Sequence, residues 1–174
     1  MIEFLRARRR LVTSLLALSC FLMIAYALYE QYYAELDPCP LCIFQRVGVI
    51  CLGVTLLIAA AIPQRWRIVG IISTVLIALV GLATMGVSAR HLYIQSQPAG
   101  SVPACGAGLD YMLDVFPLTE VLRKVLTGSG ECARIDWSLL GLSMPGWVMI
   151  AVLLLTLAGV LANWRRKQSV WVRH

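Results

Sequence analysis

Four long apolar stretches dominate this sequence, and they constrain the fold more than any other feature. Each is close to the roughly 20 residues that a helix needs to cross a bilayer core of about 30 Å. Only 14% of the residues are charged and 60% are hydrophobic, whereas about a quarter of the residues of a soluble domain are charged. The chain is therefore predicted to be a membrane protein, with spans over residues 11–29, 41–62, 68–89 and 145–164.

The second stretch predicts where its helix begins. Its uncharged part, residues 47–62, would be only about 24 Å long as a helix, which is too short to cross the membrane alone. The helix must therefore begin upstream, near Leu41, and carry Gln45 and Arg46 to the membrane boundary.

Basic residues flank the apolar stretches and predict the orientation of the chain. Clusters of arginine and lysine precede the first span, separate the second from the third, and follow the fourth. The positive-inside rule places such clusters in the cytoplasm, so both termini are predicted to be cytoplasmic and segments 30–40 and 90–144 to lie outside. This placement accounts for the net charge of +6, and no nucleic-acid binding is predicted.

The first apolar stretch also has features of a cleaved signal peptide. It follows a basic segment, and Ala25-Tyr26-Ala27 has the small-x-small form of a cleavage site. However, the apolar run is long for a signal peptide and continues past that site, so we expect it to be retained as a span.

The long outer segment contains one amphipathic pattern. Pro117 stands where a helix tolerates proline, and charged residues lie opposite apolar residues that recur at helical spacing: Leu118, Val121, Leu122, Val125 and Leu126. We expect a short helix on the membrane surface, although packing on a soluble partner would give the same pattern. The predicted fold is an all-α bundle of four membrane spans in a single domain, residues 1–174, with two outer loops.

The predicted topology divides the six cysteines into two classes. Cys20 and Cys51 lie in the middle of spans, where a buried cysteine behaves as a small hydrophobic residue. The other four fall in the outer loops, in the compartment where disulfides form and persist: Cys39, Cys42, Cys105 and Cys132. These four are the candidates for redox chemistry.

Four uses compete for the outer cysteines. A four-cysteine zinc site favours two closely spaced pairs, whereas Cys105 and Cys132 are far apart in the sequence, so no metal site is predicted. Haem attachment requires a histidine directly after Cys-x-x-Cys, and Ile43 occupies that position. Structural disulfides and thiol–disulfide exchange both remain, and the residues around Cys42 favour exchange.

The motif Cys39-Pro40-Leu41-Cys42 stands where a polar loop runs into the second span. If Pro40 is the first helical residue, Cys39 is near the N-cap and Cys42 lies in the first turn. A helix N-terminus stabilises an anion, and Arg46 follows one turn later on the same face. Both effects favour a thiolate at Cys42, so electrons are predicted to pass through this pair.

The second pair lies in the long outer loop. Cys105 stands in Val102-Pro103-Ala104-Cys105-Gly106, a segment with little to bury it, which suits a sulfur that another protein's thiolate must attack. Cys132 follows the amphipathic pattern, with glycines nearby. The long separation lets the two sulfurs move apart once reduced, which a shuttle needs and a rigid structural bridge does not.

Together these features resemble the DsbB family, bacterial inner-membrane oxidases that regenerate the periplasmic dithiol oxidase DsbA with quinone. The resemblance covers nearly the whole chain, and it includes the four spans, both cysteine pairs, Gly128-Ser129-Gly130-Glu131-Cys132-Ala133 and the segment from Trp137 to Trp147. It implies an inner-membrane protein with periplasmic cysteines, a DsbA-like thiol oxidase as partner, and ubiquinone or menaquinone as the cofactor.

The resemblance also implies an order of sulfur exchange. Cys105 would form the mixed disulfide with the partner's thiolate and release Cys132. Cys132 would then attack the Cys39–Cys42 disulfide at Cys39, leaving Cys42 as a thiolate that faces the quinone.

Three further residues are assigned to the quinone site by the same resemblance. Arg46 would polarise a quinone oxygen as electron density builds there. His91, at the outer end of the third span, matches a histidine implicated near the quinone. Gln45 stands where some relatives carry an acidic residue.

Two other functions fit parts of the pattern. Membrane thiol oxidoreductases of the vitamin-K-epoxide-reductase type also have four helices and a Cys-x-x-Cys, but there the active pair lies late in the chain. A disulfide-stapled scaffold or transporter subunit is the non-enzymatic alternative. No acidic residue within a predicted span supports transport.

Overall fold

Four long helices make up most of the part of the chain that the structure describes. The computed structural model describes residues 8–34, 38–63, 67–98, 114–127, 130–135 and 137–164. Within these ranges the long helices are α1 (Arg9–Tyr33), α2 (Pro40–Ala61), α3 (Arg67–Gln95) and α6 (Met144–Asn163), and the shorter elements are α4 (Leu118–Thr127), α5 (Gly130–Ala133), β1 (Ser138–Leu139) and β2 (Leu142–Ser143). The long helices are apolar enough to cross a membrane, which confirms the predicted four-span fold.

The long helices form an antiparallel bundle. Each packs on the next in chain order, and α1 also contacts α6. The core between them is built from buried aliphatic side chains, including Leu52, Leu56, Ile77 and Val152. Leucines on the outer faces are largely exposed, as Leu154 is at 61%. A soluble monomer rarely exposes such a continuous apolar surface, so these outer faces suit contact with lipid.

Small residues let the helices approach closely. A Cβ on Gly81 in α3 would lie 2.1 Å from the hydroxyl oxygen of Thr156 in α6, and one on Gly48 in α2 would lie 2.5 Å from that of Thr84 in α3. Gly86 has open space instead, with nothing within 4 Å of an added Cβ. Glycine is therefore required at the two crossings and not at Gly86.

Two helices continue beyond the predicted spans. The first was predicted to end at residue 29 and the third at residue 89, but α1 extends to Tyr33 and α3 to Gln95. The polar residues in these extensions lie at one end of the bundle, where α2 begins and α3 ends. We call this end the cysteine end. His91 and Gln31 are therefore held on helices, not on loops.

The amphipathic helix is confirmed, but its environment differs from the expectation. Val121 and Val125 of α4 are buried in a cluster with Leu41 of α2, Ile94 of α3 and Cys132 of α5. The apolar face that was expected on the membrane surface thus packs at least partly on the cysteine end of the bundle. The ends of α2 and α3 present apolar side chains there, and burying valine against them removes apolar area from water.

The opposite end of the bundle is held by Arg9 of α1. Its guanidinium donates hydrogen bonds to the carbonyl oxygens of Ala59 (2.7 Å) and Ile62 (3.3 Å) and to the side-chain oxygen of Asn163 (3.2 Å). A cation is stabilised at the C-terminus of a helix, and here it joins α1 to the ends of α2 and α6. Arg9 is therefore a structural tie as well as a predicted topology signal.

A short hairpin leads into α6. Its turn residues Leu140 and Gly141 both have positive φ angles, 54° and 79°, as a tight two-residue turn requires. The hydroxyl of Ser143 donates a hydrogen bond to the side-chain oxygen of Gln95 at 2.6 Å. The indole N–H of Trp147 donates to the carbonyl oxygen of Leu139. These bonds fix the start of α6 against the end of α3.

The close crossing of α3 and α6 gives a test of the packing. Gly81→Ala should destabilise the protein by about 1–3 kcal/mol, because the new methyl group overlaps Thr156. Gly86→Ala is the matched control and should be neutral or slightly stabilising, since alanine favours a helix by about 1 kcal/mol. Thermal unfolding in detergent measures both. Equal melting temperatures for the two variants would contradict the described crossing.

Candidate functional site

The start of α2 positions the first pair of sulfurs. Pro40 is the first helical residue and Cys39 is the N-cap, as predicted, and Cys39 Sγ accepts a hydrogen bond from the backbone N–H of Cys42 at 3.4 Å. The two sulfurs lie 3.3 Å apart and are not joined by a disulfide in this structure. They therefore meet at the positive end of the helix dipole, which favours a negatively charged sulfur.

The proton of the pair resides on Cys39. Its thiol donates a hydrogen bond to Cys42 Sγ. A hydrogen bond with Cys132 lowers the pKa of Cys39, but the hydrogen bond with Cys42 and burial raise it more, so that the pKa is about 12. Cys39 thus stays a thiol at neutral pH once the pair is reduced.

Cys132 reaches Cys39 from the side of the short helix α5. Its side chain is 1% exposed and belongs to the cluster with Val121 and Val125. Its thiol is within hydrogen-bonding reach of Cys39 Sγ. Cys132 and Cys39 therefore meet, and a sequence separation of more than ninety residues is closed by the packing of α4 and α5.

His91 links α3 to the same cluster. Its Nε2 lies 3.2 Å from the carbonyl oxygen of Cys132 and 3.8 Å from Cys39 Sγ. Because a carbonyl oxygen only accepts hydrogen bonds, Nε2 carries the proton in this contact. Nδ1 is then an acceptor, and it is buried with no hydrogen-bond partner in the described part of the chain. A buried unpaired acceptor of this kind calls for an explanation.

Arg46 is anchored by α1. One end of its guanidinium donates to Gln31 Oε1 and the other to the carbonyl oxygen of Ala27, at 3.1 Å for the latter. It lies close enough to Cys42 for an electrostatic interaction. Gln45, next to it, is 4% exposed and donates to the hydroxyl of Ser88 at 2.9 Å. Both predicted residues are therefore held by neighbouring helices.

A cavity of about 320 Å³ lies beside these residues. Its volume is in the range of small-molecule sites, which combine apolar walls with a few polar groups. The apolar wall includes Met23, Ile24, Val49 and Val148, and the polar groups include Glu30, Cys39, Cys42, Gln45, Arg46 and His91. Cys132 is not among the described residues that line the cavity. Cys132 thus meets Cys39 away from the cavity, whereas both sulfurs of the first pair, on Cys39 and Cys42, line the cavity.

Three of these side chains could also hold a metal ion. The sulfurs of Cys39 and Cys42 and a ring nitrogen of His91 lie within 4.8 Å of one another. However, a metal needs a nitrogen lone pair, and Nε2 of His91 is engaged with the carbonyl oxygen of Cys132. A metal bound through Nε2 would have to break that contact, and Nδ1 is the ring nitrogen whose lone pair has no partner in the described part of the chain.

The structure brings together six of the seven predicted site residues. Cys39, Cys42, Cys132, Arg46, Gln45 and His91 meet at the cysteine end, whereas Cys105 lies outside the described residues. Of the two mid-span cysteines, Cys20 is buried in the core and Cys51 is exposed on an outer face. Sequence reasoning missed Gln31, because it follows the predicted end of the first span and was assigned to a loop.

Comparison with known proteins agrees with this arrangement. Residues 9–162 match the family model described as disulfide bond formation protein DsbB. The disulfide bond formation protein B of Nitrosococcus oceani is 48% identical over 84% of this chain and 84% of its own length. Those of Acinetobacter baumannii and Hahella chejuensis are 42% and 44% identical, each over 88% of this chain and 90% of their own length. These matches disfavour the vitamin-K-epoxide-reductase and scaffold alternatives.

The raised pKa of Cys39 predicts slow alkylation. Only the thiolate reacts, and the thiolate fraction grows about tenfold per pH unit below the pKa. Iodoacetamide labelling of Cys39 in the reduced protein should therefore accelerate about tenfold per pH unit between about pH 7 and about pH 10. Mass spectrometry of the modified peptide measures the rate.

The control for this labelling is Cys42→Ala. It removes the hydrogen bond and the charge that raise the pKa of Cys39, so the labelling of Cys39 at a fixed pH should become faster. A rate that levels off near neutral pH in the unmodified protein would contradict the assignment of the proton to Cys39.

Proposed function

Because this chain belongs to the DsbB family of disulfide bond formation proteins, we propose that it is a membrane thiol oxidase that passes electrons from a periplasmic dithiol protein to a quinone. One observation carries the proposal, namely the order of groups in the site. Cys132 contacts Cys39, Cys39 contacts Cys42, and Cys42 lines the cavity beside Arg46. Thiol–disulfide exchange requires attacking and attacked sulfurs to meet, and this order supports the exchange from Cys132 to the pair Cys39 and Cys42.

The first exchange takes place on the second cysteine pair. A thiolate of the partner attacks Cys105 in the Cys105–Cys132 disulfide, a mixed disulfide forms, and Cys132 leaves as a thiolate. The second thiol of the partner, after losing its proton, attacks the partner's own sulfur. The partner departs with a disulfide, and Cys105 is left as a thiolate. This role of Cys105 rests on its position in the family pattern.

The second exchange moves the electrons to the first pair. The thiolate of Cys132 attacks Cys39, a Cys39–Cys132 bond forms, and Cys42 leaves as a thiolate at the helix N-terminus. The Cys105 thiolate then attacks Cys132, which restores the Cys105–Cys132 disulfide and releases Cys39. Cys39 takes up a proton, as its raised pKa favours. The net result is that Cys39 and Cys42 are reduced and the partner is oxidised.

The residues around the cavity fit a quinone. When bound, such a group supplies an acceptor for two electrons and two protons. Arg46 offers a positive charge to an oxygen that gains electron density, and its hydrogen-bond partners among the described residues are uncharged. Nδ1 of His91 is a buried acceptor without a partner in the described part of the chain, which suits a site where protons are exchanged. Gln45 also lines the cavity. Ubiquinone and menaquinone both meet these requirements.

The energetics require such an acceptor. A DsbA-like oxidase has a reduction potential of about −120 mV, and for a two-electron couple about 30 mV corresponds to about 1.4 kcal/mol. Electron transfer from a partner of this kind to a protein disulfide alone would have an unfavourable free energy. A quinone in the bilayer, next to Cys42 and Arg46, would draw the electrons onward.

The orientation belongs to the same proposal. The cysteine end would face the periplasm of a bacterial inner membrane, where a DsbA-like partner is present, and both chain termini would be cytoplasmic. The placement of Arg9 supports this orientation, because it lies at the end of the bundle opposite the cysteines and basic residues favour the cytoplasmic side.

Turnover of a reduced dithiol carrier tests the proposal. Purified protein with ubiquinone should reoxidise a reduced DsbA-type protein, with loss of quinone absorbance as the readout. Cys105→Ser should reduce the rate to background, since the Cys105–Cys132 disulfide that the partner attacks cannot form. Cys51→Ser, at an exposed position away from the site, is the matched control and should retain turnover. Turnover by Cys105→Ser at the rate of the unmodified protein would refute the assigned route.

A further inference from the structure

Arg46 needs an anchor if it is to act at the cavity. An arginine side chain has about 2 kcal/mol of rotamer entropy, and near a membrane boundary it can extend towards the lipid head groups. A guanidinium that moved away in this manner would leave the neighbourhood of Cys42. The structure prevents this through two hydrogen bonds to α1.

The two anchors differ in kind. The carbonyl oxygen of Ala27 belongs to the backbone, so any residue at that position supplies it. Gln31 contributes a side-chain oxygen, and it lies one helical turn further along α1, on the same face as Ala27. Gln31 is therefore the anchor that depends on the sequence, and the two groups together hold both ends of the guanidinium.

The neutrality of Gln31 matters for the charge of Arg46. A glutamine oxygen accepts a hydrogen bond from the guanidinium without cancelling its positive charge. A glutamate in the same place would form an ion pair, because opposite charges a few ångströms apart near a membrane attract strongly. The charge that Arg46 presents to the cavity would then be largely compensated. An amide thus fixes the position of the guanidinium without adding a negative charge beside it.

We infer that Gln31 is a positioning residue for the quinone site: it holds the guanidinium of Arg46 at the cavity, beside Cys42, without neutralising it. The inference rests on the proposed function, since it assigns Arg46 to the electron acceptor. It also gives α1 a role in the site, although α1 contains none of the four outer cysteines. A purely structural alternative is that Gln31 only ties α1 to α2.

Two substitutions separate these roles. Gln31→Leu removes the anchor, and Gln31→Glu keeps a hydrogen-bond acceptor while adding a negative charge. Tyr32→Leu is the matched control, because Tyr32 is the next residue of α1 and is 73% exposed. Arg46→Ala removes the guanidinium itself, so it shows how much quinone binding is lost when this group is absent.

Binding is measured apart from turnover. In fully oxidised protein no electrons are available, so isothermal titration with a short-chain ubiquinone in detergent gives an equilibrium Kd. Gln31→Leu should weaken binding about tenfold, the size expected for one hydrogen bond to a charged group. Gln31→Glu should also weaken binding while its melting temperature stays at or above that of the unmodified protein. Tyr32→Leu should leave Kd unchanged.

Turnover gives a second, independent readout. The KM for quinone should rise in both Gln31 variants, and the KM for the dithiol partner should not. If Gln31→Glu or Arg46→Ala bound quinone with the same Kd as the unmodified protein, the inference would be overturned and the proposed function would stand. Failure of the unmodified protein to bind or reduce quinone would instead overturn the proposed function.

Discussion

The hydrogen bond from the backbone N–H of Cys42 to Cys39 Sγ holds the cysteine pair in place, and the rest of the site is arranged around this pair. It exists because Pro40 begins α2 and leaves Cys39 at the N-cap. The two sulfurs are thereby placed together at a helix N-terminus, where negative charge is favoured. Cys39 meets Cys132, and both sulfurs of the pair line the cavity. A start of α2 one turn earlier or later would separate these neighbours.

Polar side chains near the ends of the bundle connect the helices around this pair. Within a membrane such groups must find partners inside the protein. Arg46 bonds to α1, His91 contacts the carbonyl oxygen of Cys132, and Arg9 joins three helices at the opposite end. The same contacts that satisfy these groups also hold the reactive residues in position. Stability and function therefore depend on the same hydrogen bonds.

The sequence was sufficient to predict what local patterns determine. Apolar stretches predicted the four long helices, and the proline after Cys39 predicted the start of α2 and the place of Cys42 in its first turn. The apolar spacing around Val121 and Val125 likewise predicted a short amphipathic helix. Each of these features follows from neighbouring residues alone.

The remaining features depend on how the helices pack. The valines of α4 are buried against Leu41 and Ile94. No local sequence pattern indicates that the bundle itself provides the apolar surface on which these valines pack. Gln31 reaches Arg46, and Cys132 reaches Cys39, only because distant segments meet. The continuation of α3 past residue 89 also escaped sequence reasoning, because polar residues there are held by tertiary contacts. Such tertiary contacts leave no periodic pattern in the amino-acid sequence.

The order of the sulfurs is the central claim, and trapped disulfides test it most directly. In full-length protein carrying Cys42→Ala, Cys132 should form a stable disulfide with Cys39, identified by mass spectrometry of the joined peptides. In the matched variant Cys39→Ala, a Cys132–Cys42 disulfide should be rare, because Cys132 forms its hydrogen bond with Cys39 and interacts with Cys42 only electrostatically. A Cys132–Cys42 disulfide that forms as readily as the Cys39–Cys132 disulfide would contradict the proposed relay.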